Sequence, residues 1–403
     1  MATKTGLIHC LKNYYHSIGK HIFDSIATSY ILEIGKIKSD YFNFSQRYKE
    51  LSRKLYWKER TPSKHCQKNL WLLKPANMNQ GRGISMVKNL KELRQRLTSK
   101  NNRSLWVLQK YIERPLLYHN RKFDIRVWVL VTDSADVLLY KDGYIRTSSE
   151  LYDLSSSASQ IHLTNNCLQV NGTNYSKHEP GNTLSYDVFR KYLEVTYQNC
   201  ETKPDLDRDI IPRMKDLIID TIMSVKSGLI SSEKTRGTAF EFLGYDFMVD
   251  EDLRVWLIEV NDNPYIGVPN DYIRGLLPIM LDSLFSLVLD RIYPPTNKIR
   301  SENRFEVIYC EELSRFSNKP INQRRPFDKS LLYPIKELTK QNEEVQEDVL
   351  LLENEVREMV EKRDLDLLLK KMLKTVIRLA QRYNNEDDLI KVFKLIHFRQ
   401  LEY

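Results

Sequence analysis

The sequence predicts an α+β fold. Helix-like stretches are mixed with strand-like ones, and the strand-like ones fall into antiparallel pairs closed by short polar turns, which argues against a doubly wound parallel sheet. The length of 403 residues leaves room for two or three domains with a core of ordinary size.

Taken in order, residues 1–70 are mixed, with little clear periodicity. Residues 71–74 form a short apolar strand ending in a lysine, and 77–83 a polar loop bearing glycines. Residues 89–97 read as a helix, and 105–112 as a strand that Arg114-Pro115 ends, because proline has no N–H to give a sheet. Residues 122–132 alternate strongly and pair with 137–140 across the turn 133–136. The Ser-, Asn- and Thr-rich stretch 148–182 reads as a long functional loop, and 185–198 and 205–230 as helices. Residues 240–249 and 253–260 flank Asp250-Glu251-Asp252 as a hairpin whose turn acids are expected in solvent, and 271–292 is helical. From about 300 the chain is charged and helical, acidic through 343–366 and basic through 370–399. Val345, Val349, Leu352, Val356 and Met359 follow a heptad spacing that breaks at Arg363, which favours a helical hairpin packed on the body over a coiled-coil dimer; a monomer is expected.

Composition excludes several classes. Hydrophobic residues are 41% and charged residues 29%, so the chain is globular rather than disordered, and Gly 13 with Pro 14 rules out a collagen-like sequence. No run of 18 apolar residues exists; 276–292 is interrupted by Asp282, Asp290 and Arg291, so no membrane span is expected, and the first 25 residues lack a secretory h-region. Five scattered cysteines with no CxxC fit a reducing compartment rather than a zinc ribbon or disulfide scaffold. The net charge is +9, of which residues 1–70 carry +8. Such a segment suits an acidic partner (nucleic acid, anionic membrane or acidic polypeptide) or is simply a solvated surface.

Three constellations carry candidate chemistry. In 74–84, Lys74 at a strand end precedes a loop with Gly81 and Gly83, where backbone N–H groups can approach phosphate oxygens while Lys74 and Arg82 neutralise charge. It is not a Walker A loop, and the order of loop and lysine is not that of a protein kinase. In 122–126, a period of two puts Lys122, Asp124 and Arg126 on one face and Phe123, Ile125 and Val127 on the core face, either as a surface salt-bridge ladder or, the sharper reading, as the polar floor of a site. In the hairpin, Asp246 falls roughly opposite Glu259, and Asn261 shares Glu259's face; two carboxylates and an amide oxygen are hard donors suited to Mg²⁺, the alternative being a hydrogen-bonded cluster without a metal.

In that order these residues resemble the tubulin–tyrosine ligase-like family, amino-acid ligases of tubulin with an ATP-grasp core. The resemblance runs from about Asn69 to Pro295 through Asn69-Leu-Trp-Leu-Leu-Lys-Pro, Gln80-Gly-Arg-Gly-Ile, Gln109-Lys-Tyr-Ile112, Lys122-Phe-Asp-Ile-Arg126, Tyr144-Ile-Arg-Thr147, His162-Leu-Thr-Asn165, Gly244-Tyr-Asp-Phe247 and Trp256-Leu-Ile-Glu-Val-Asn-Asp-Asn-Pro264. It implies an ATP-grasp core with a C-terminal helical extension: a basic leading segment 1–68, a central lobe 69–112, a second lobe with the metal site 113–298, and the extension 299–403. It implies that Lys74 contacts ATP phosphates beneath the Gln80, Gly81, Arg82 and Gly83 loop, and that Gln109, Lys110, Tyr111 and Ile112 form the hinge strand at adenine. Lys122 and Asp124 would reach the nucleotide, Asp124 at the ribose. Thr164 and Asn165 would line the site between phosphates and substrate, and Asp246, Glu259 and Asn261 would hold Mg²⁺. Arg126 and Arg146 would bind carboxylate or stabilise the tetrahedral intermediate, and with Glu259 they are the catalytic candidates.

The implied reaction passes the γ-phosphoryl of ATP to a carboxylate, and the amine of a free amino acid then attacks the acyl phosphate. No side-chain nucleophile is needed, and none is apparent. Glutamate is favoured as donor, glycine next. The acceptor would be the acidic tail of tubulin or microtubules, drawn by the +8 segment, which places the protein in the cytoplasm at the cytoskeleton, cilium or basal body; no nucleic acid is implied. A non-catalytic tubulin-binding member, or a ligase acting on another acidic protein, are the alternatives. Two departures stand out. Only about 68 residues precede the first clear motif, so the family's leading α/β domain is expected to be shortened or missing. Residues 171–177 are also spaced differently from the family pattern.

Overall fold

A computed structural model describes residues 1–33, 39–56, 65, 67–98, 105–200, 203–229, 239–290, 292–293 and 302–310. The chain divides into a unit Met1–Leu332 and a unit Tyr333–Tyr403, and everything below concerns the first. The expected helical hairpin of 343–399 lies outside the described residues.

The order of elements is α1 (Lys4–Ser17), β1 (Ser29–Glu33), α2 (Ser39–Tyr56), β2 (Trp71–Pro75), β3 (Ser85–Val87), α3 (Leu90–Thr98), β4 (Leu105–Lys110), β5 (Leu117–Tyr118), β6 (Arg121–Thr132), β7 (Val137–Tyr140), β8 (Tyr144–Leu151), α4 (Ser159–His162), α5 (Asn166–Gln169), β9 (Thr183–Ser185), α6 (Tyr186–Thr196), α7 (Ile211–Met223), α8 (Lys226–Leu229), β10 (Phe240–Val249), β11 (Val255–Asn261), α9 (Asp271–Val288) and β12 (Phe305–Tyr309). They build two antiparallel sheets, a small one ordered β1-β4-β2-β3 and a large one following β11-β10-β6-β7-β12, with β5 and β8 on β6 and β9 on β8. The architecture is therefore α+β, as the paired strands predicted.

The central strand β6 explains both core and site. Its odd positions Phe123, Ile125, Val127, Val129 and Val131 enter one apolar layer together with Leu7, Leu11 and Tyr15 of α1, Phe189 of α6 and Leu217 of α7. Its even positions change character along the strand. Trp128 and Leu130 lie under Leu276, Leu277 and Met280 of α9, whereas Lys122, Asp124 and Arg126 extend the same face beyond that cover and remain polar. All three are buried, which excludes the solvated salt-bridge ladder.

Three expectations are corrected. Residues 1–70 are periodic after all: Leu7, Ile8, Leu11 and Tyr15 form one buried stripe of α1, whose first turn is capped by the Thr3 hydroxyl accepting from the Gly6 N–H. Strand β1 pairs with β4, so the small sheet begins well before residue 69, while α1 packs on the large sheet. Residues 305–309, expected within a helical extension, are instead strand β12, paired with β7.

The β10–β11 turn differs as well. Asp250 is fully buried rather than solvated. Its carboxylate accepts from the Asp252 and Arg254 backbone N–H groups at 3.0 and 2.9 Å and from the Trp256 indole at 2.9 Å, and it meets His65 Nε2 at 2.9 Å. Only an acceptor with several lone pairs closes that turn, so the acid is structural. Glu251 and Asp252 are exposed, as expected.

Candidate functional site

Antiparallel register assembles the site across the large sheet. On β6, Asp124 stands opposite Arg146 of β8, and Arg126 opposite Asp246 of β10. Asp246 in turn stands opposite Glu259 of β11, and Gly244 opposite Asn261. Four neighbouring strands thus present five charged groups and one amide on a single face. Arg126 grips Asp246 through two N–H groups, one of them at 2.9 Å, and Arg146 reaches Asp246 at 2.8 Å and Asp124 at 3.0 and 3.1 Å. Burial alone would raise the Asp246 pKa, but the two guanidiniums overcome this and hold it well below the usual carboxylate range. Glu259 goes the other way: burial, then the facing Asp246, push its carboxyl up. Asn261 turns its amide nitrogen toward the Gly244 carbonyl and Glu259, both at 3.4 Å.

The small sheet supplies the opposite wall. Lys74 at the end of β2 is buried and donates to the Gln109 amide oxygen at 2.6 Å, and Gln109 is held from behind by the Ser29 hydroxyl at 3.0 Å. One cleft is lined by Lys74, Gln109, Glu259 and Asn261. Burial lowers the Lys74 pKa to about 8, Glu259 opposing and Lys4 assisting. Lys122, also buried, donates to the Tyr111 hydroxyl at 3.0 Å and the His162 carbonyl at 2.8 Å. Burial, then the neighbouring Lys74, bring its pKa down to about 7.

The glycine loop runs through left-handed backbone. Gln80, Gly81 and Gly83 have φ of 61°, 75° and 71°, a left-handed path that glycine adopts without strain. Gln80, Arg82 and Gly83 are exposed, and the loop leans on the segment carrying half-buried Thr164 and Asn165. A Cβ on Gly81 would lie 2.7 Å from Leu168 Cδ1 and 3.0 Å from Asn165 Oδ1. Gly81→Ala is therefore expected to push the loop off this segment, with little change in melting temperature; faster amide exchange in 79–84 and 165–169 of the variant checks this.

Not every predicted residue joins the cleft. Lys110 sits on the other face of β4 from Gln109. Its ammonium is committed to Glu113 at 2.5 Å and to the Leu70 and Tyr111 carbonyls at 2.9 and 3.3 Å, so its side chain belongs to the packing of the small sheet. Ile112 packs with Ala27, Met248 and Trp256. Tyr111 is buried beside Leu70, Leu72 and Met86, and only its hydroxyl faces polar partners.

Sequence reading missed Lys4. It opens α1, lines the same cleft, donates to the Met78 carbonyl and stands in the field of Glu259, and burial lowers its pKa. The stripe Leu7, Ile8, Leu11 and Tyr15 behind a capping Thr3 is the signal that would have placed it at a helix start.

The charges are complementary to a metal–polyphosphate ligand. Burial lowers the pKa of both ammoniums, Lys74 on the small sheet and Lys122 on β6, while burial and the facing Asp246 raise that of Glu259, so added anionic charge near the lysines and cationic charge near Glu259 would both be favoured. The donor set of Asp246, Glu259 and Asn261 fits a hard divalent cation.

A model of the tubulin-tyrosine ligase family matches residues 4–300. The chain is 33% identical over 247 residues to tubulin glycylase 3A of Drosophila melanogaster, covering 60% of this chain and 24% of that protein. It is 34% identical over 236 residues to tubulin glycylase 3C of Tetrahymena thermophila (58% and 21%), and 33% identical over 232 residues to tubulin monoglycylase TTLL3 of Danio rerio (55% and 29%). It therefore spans about a quarter of the length of these relatives. The match begins at residue 4, so the segment carrying α1, β1 and α2 lies within the family region, and the chain belongs to the tubulin-tyrosine ligase family.

Proposed function

We propose that the protein is an ATP- and Mg²⁺-dependent ligase, built on an ATP-grasp core, that joins glycine to carboxylates of an acidic tubulin tail. One observation carries this reading: buried Lys74 of the small sheet and Glu259 of the large sheet line one polar cleft, with the second buried ammonium, Lys122 of β6, close enough to Lys74 for each charge to matter to the site. Such an arrangement suits a nucleotide triphosphate and its cation. The relatives are named as tubulin glycylases, which favours glycine over the glutamate that the sequence motifs suggested.

The residue roles follow from charge. Lys74 and Lys122 would bind and orient phosphate oxygens, and Asp246, Glu259 and Asn261 would hold Mg²⁺, whose chemistry there would be to neutralise phosphoryl charge. Arg146, tied to both Asp124 and Asp246, bridges the nucleotide floor and the metal ligands. Arg126 and Arg146 offer fixed N–H donors to the oxyanion formed when the amine attacks the acyl phosphate; phosphate then leaves and the amide remains. The acceptor is drawn electrostatically by the basic leading segment.

The deciding experiment is intact-mass spectrometry of tubulin tails after incubation with the protein and Mg-ATP, with glycine, glutamate and tyrosine offered separately. Increments of one glycine residue support the proposal. Increments of another residue would replace the donor, and no increment despite ATP binding would point to a binding-only member or another acceptor.

The lysines also set a pH dependence. A polyanion favours the ammonium forms, which are complete about one unit below pH 7 and are lost as pH rises through about 7 at Lys122 and about 8 at Lys74. Mg-ATP affinity should therefore fall between pH 7 and 9, by up to roughly tenfold per lysine per unit above its pKa. Binding near pH 7.5 should take up protons, read by calorimetry in two buffers of different ionisation heat. A flat profile would mean that neither lysine meets phosphate.

A further inference from the structure

His162 is a buried imidazole in the short helix α4, at the base of the segment that carries Thr164 and Asn165. Its two nitrogens have different partners. Nε2 lies 3.1 Å from the Ser156 carbonyl oxygen, which can only accept, so Nε2 carries the ring proton. Nδ1 is then the bare nitrogen, and the Tyr111 hydroxyl, 2.8 Å away, must donate to it. With its one proton spent there, the Tyr111 oxygen accepts from the Lys122 ammonium at 3.0 Å. The His162 carbonyl accepts from the same ammonium at 2.8 Å. Lys122 also stands 4.3 Å from the Tyr111 ring centroid, so both of its acceptors and its aromatic contact belong to this pair of residues. Burial first of all keeps the imidazole pKa near 4, so the ring is neutral at physiological pH and the direction of the chain is fixed.

The rest of the segment gives the imidazole a firm base. The Gln169 amide donates to the Gln160 and Leu163 carbonyls at 2.8 and 2.6 Å, and its oxygen accepts from the Ser149 N–H and hydroxyl at 2.9 and 2.7 Å. The imidazole also meets the rings of Tyr111 and Tyr152 edge to face, at 5.3 and 6.0 Å. The α4 backbone is thereby anchored to β8, and the ring is left as its link to the Tyr111 wall.

We infer that His162 is a positioning residue for the nucleotide site: by fixing the Tyr111 hydroxyl as a donor, it turns the Tyr111 oxygen toward Lys122 and so sets where that ammonium meets the ligand. It touches no reacting atom. An apolar residue at 162 would leave the Tyr111 proton without its acceptor, so the hydroxyl could rotate and its oxygen would no longer be held toward Lys122. The inference rests on the nucleotide reading above and names the group that aims one of its two lysines.

The test measures Mg-ATP affinity by calorimetry for the full chain and for His162→Leu, His162→Gln, Tyr111→Phe and the His162→Leu/Tyr111→Phe pair. His162→Leu and Tyr111→Phe should each weaken binding about five- to tenfold, and the pair no more than the worse single, because both break one chain. His162→Gln, which still offers a donor and an acceptor, should return to within about twofold of the unaltered protein, and KM for the amino-acid donor should not move. Tyr111→Phe keeps the ring against Leu70, Leu72 and Met86 and decides the matter if His162→Leu fails to fold. Unaltered affinity in Tyr111→Phe, or losses that multiply in the pair, would overturn the inference while the nucleotide reading stands. No ATP binding by the unaltered protein would remove both.

Discussion

Replacing Glu259 by glutamine should lower kcat for ligation by roughly 10²–10³-fold or more without lowering the melting temperature. Glu259 faces Asp246 in register, and burial and that neighbour both raise its pKa, so the folded protein holds the carboxylate at a cost. Glutamine keeps the shape, can donate to Asp246 and removes the like charge, so the unliganded protein should be as stable or slightly more so. What it loses is the anionic donor for the cation. Functional residues commonly trade stability in this way. Turnover above a tenth of the original would show that the carboxylate is dispensable. A clear fall in melting temperature would show that it serves the fold instead.

The second large effect concerns Arg126. Arg126→Ala should destabilise the protein by about 3–5 kcal/mol, the range found when one member of a buried pair is removed and its partner charge is left behind. Asp246 would then keep only Arg146, which is shared with Asp124. Asp246→Ala should also destabilise, since it leaves two guanidiniums on a buried strand face. The double variant Arg126→Ala/Asp246→Ala should cost less than the two singles added, because no charge is then stranded at that pair. Urea denaturation of the four proteins gives the coupling. Simple additivity would show that the ion pair contributes nothing specific to the fold. All three variants should be inactive, so stability and activity separate here: Glu259 is needed for chemistry alone, Arg126 for chemistry and fold.

Much of this site was legible in the sequence because β-structure is a period of two. The alternation in 122–131 separated the core face from the polar face of β6, and the hairpin around 250–252 brought Asp246 roughly opposite Glu259; the observed pairing needs a bulge between Asp246 and Phe247 that the alternation does not announce. The paired strands likewise gave the fold class. Features set by the third dimension were less legible. Lys110 lies on the same strand as Gln109, and the two diverge because one side chain finds the cleft while the other finds Glu113 on the far face. Asp250 looks like a solvated turn acid until Trp256 and His65 close over it. In the sequence Lys4 is one charge among many in a basic segment, and only the docking of α1 through its apolar stripe brings it to the cleft. Residues 305–309 are too short to announce a strand, and they become one only because β7 offers an edge.

The placement of Asp124, Arg126, Arg146, Asp246 and Glu259 on interlocked strands has a consequence for how this sequence can vary. Side chains alternate with every residue, so one residue inserted into β10 before Asp246 would swing that carboxylate into the layer of Leu243, Tyr245 and Phe247 and bring an apolar group to its place. A deletion in β6 or β11 would do the same to Arg126 or Glu259. Changes of length beside these charges therefore misplace them unless a bulge absorbs the extra residue, as one already does between Asp246 and Phe247. They are bearable in the connections, at 76–84, 152–182 and 262–270, where the chain is not bound to a ladder. Ligand preference can drift through the spacing of those loops while the spacing of the charges stays locked.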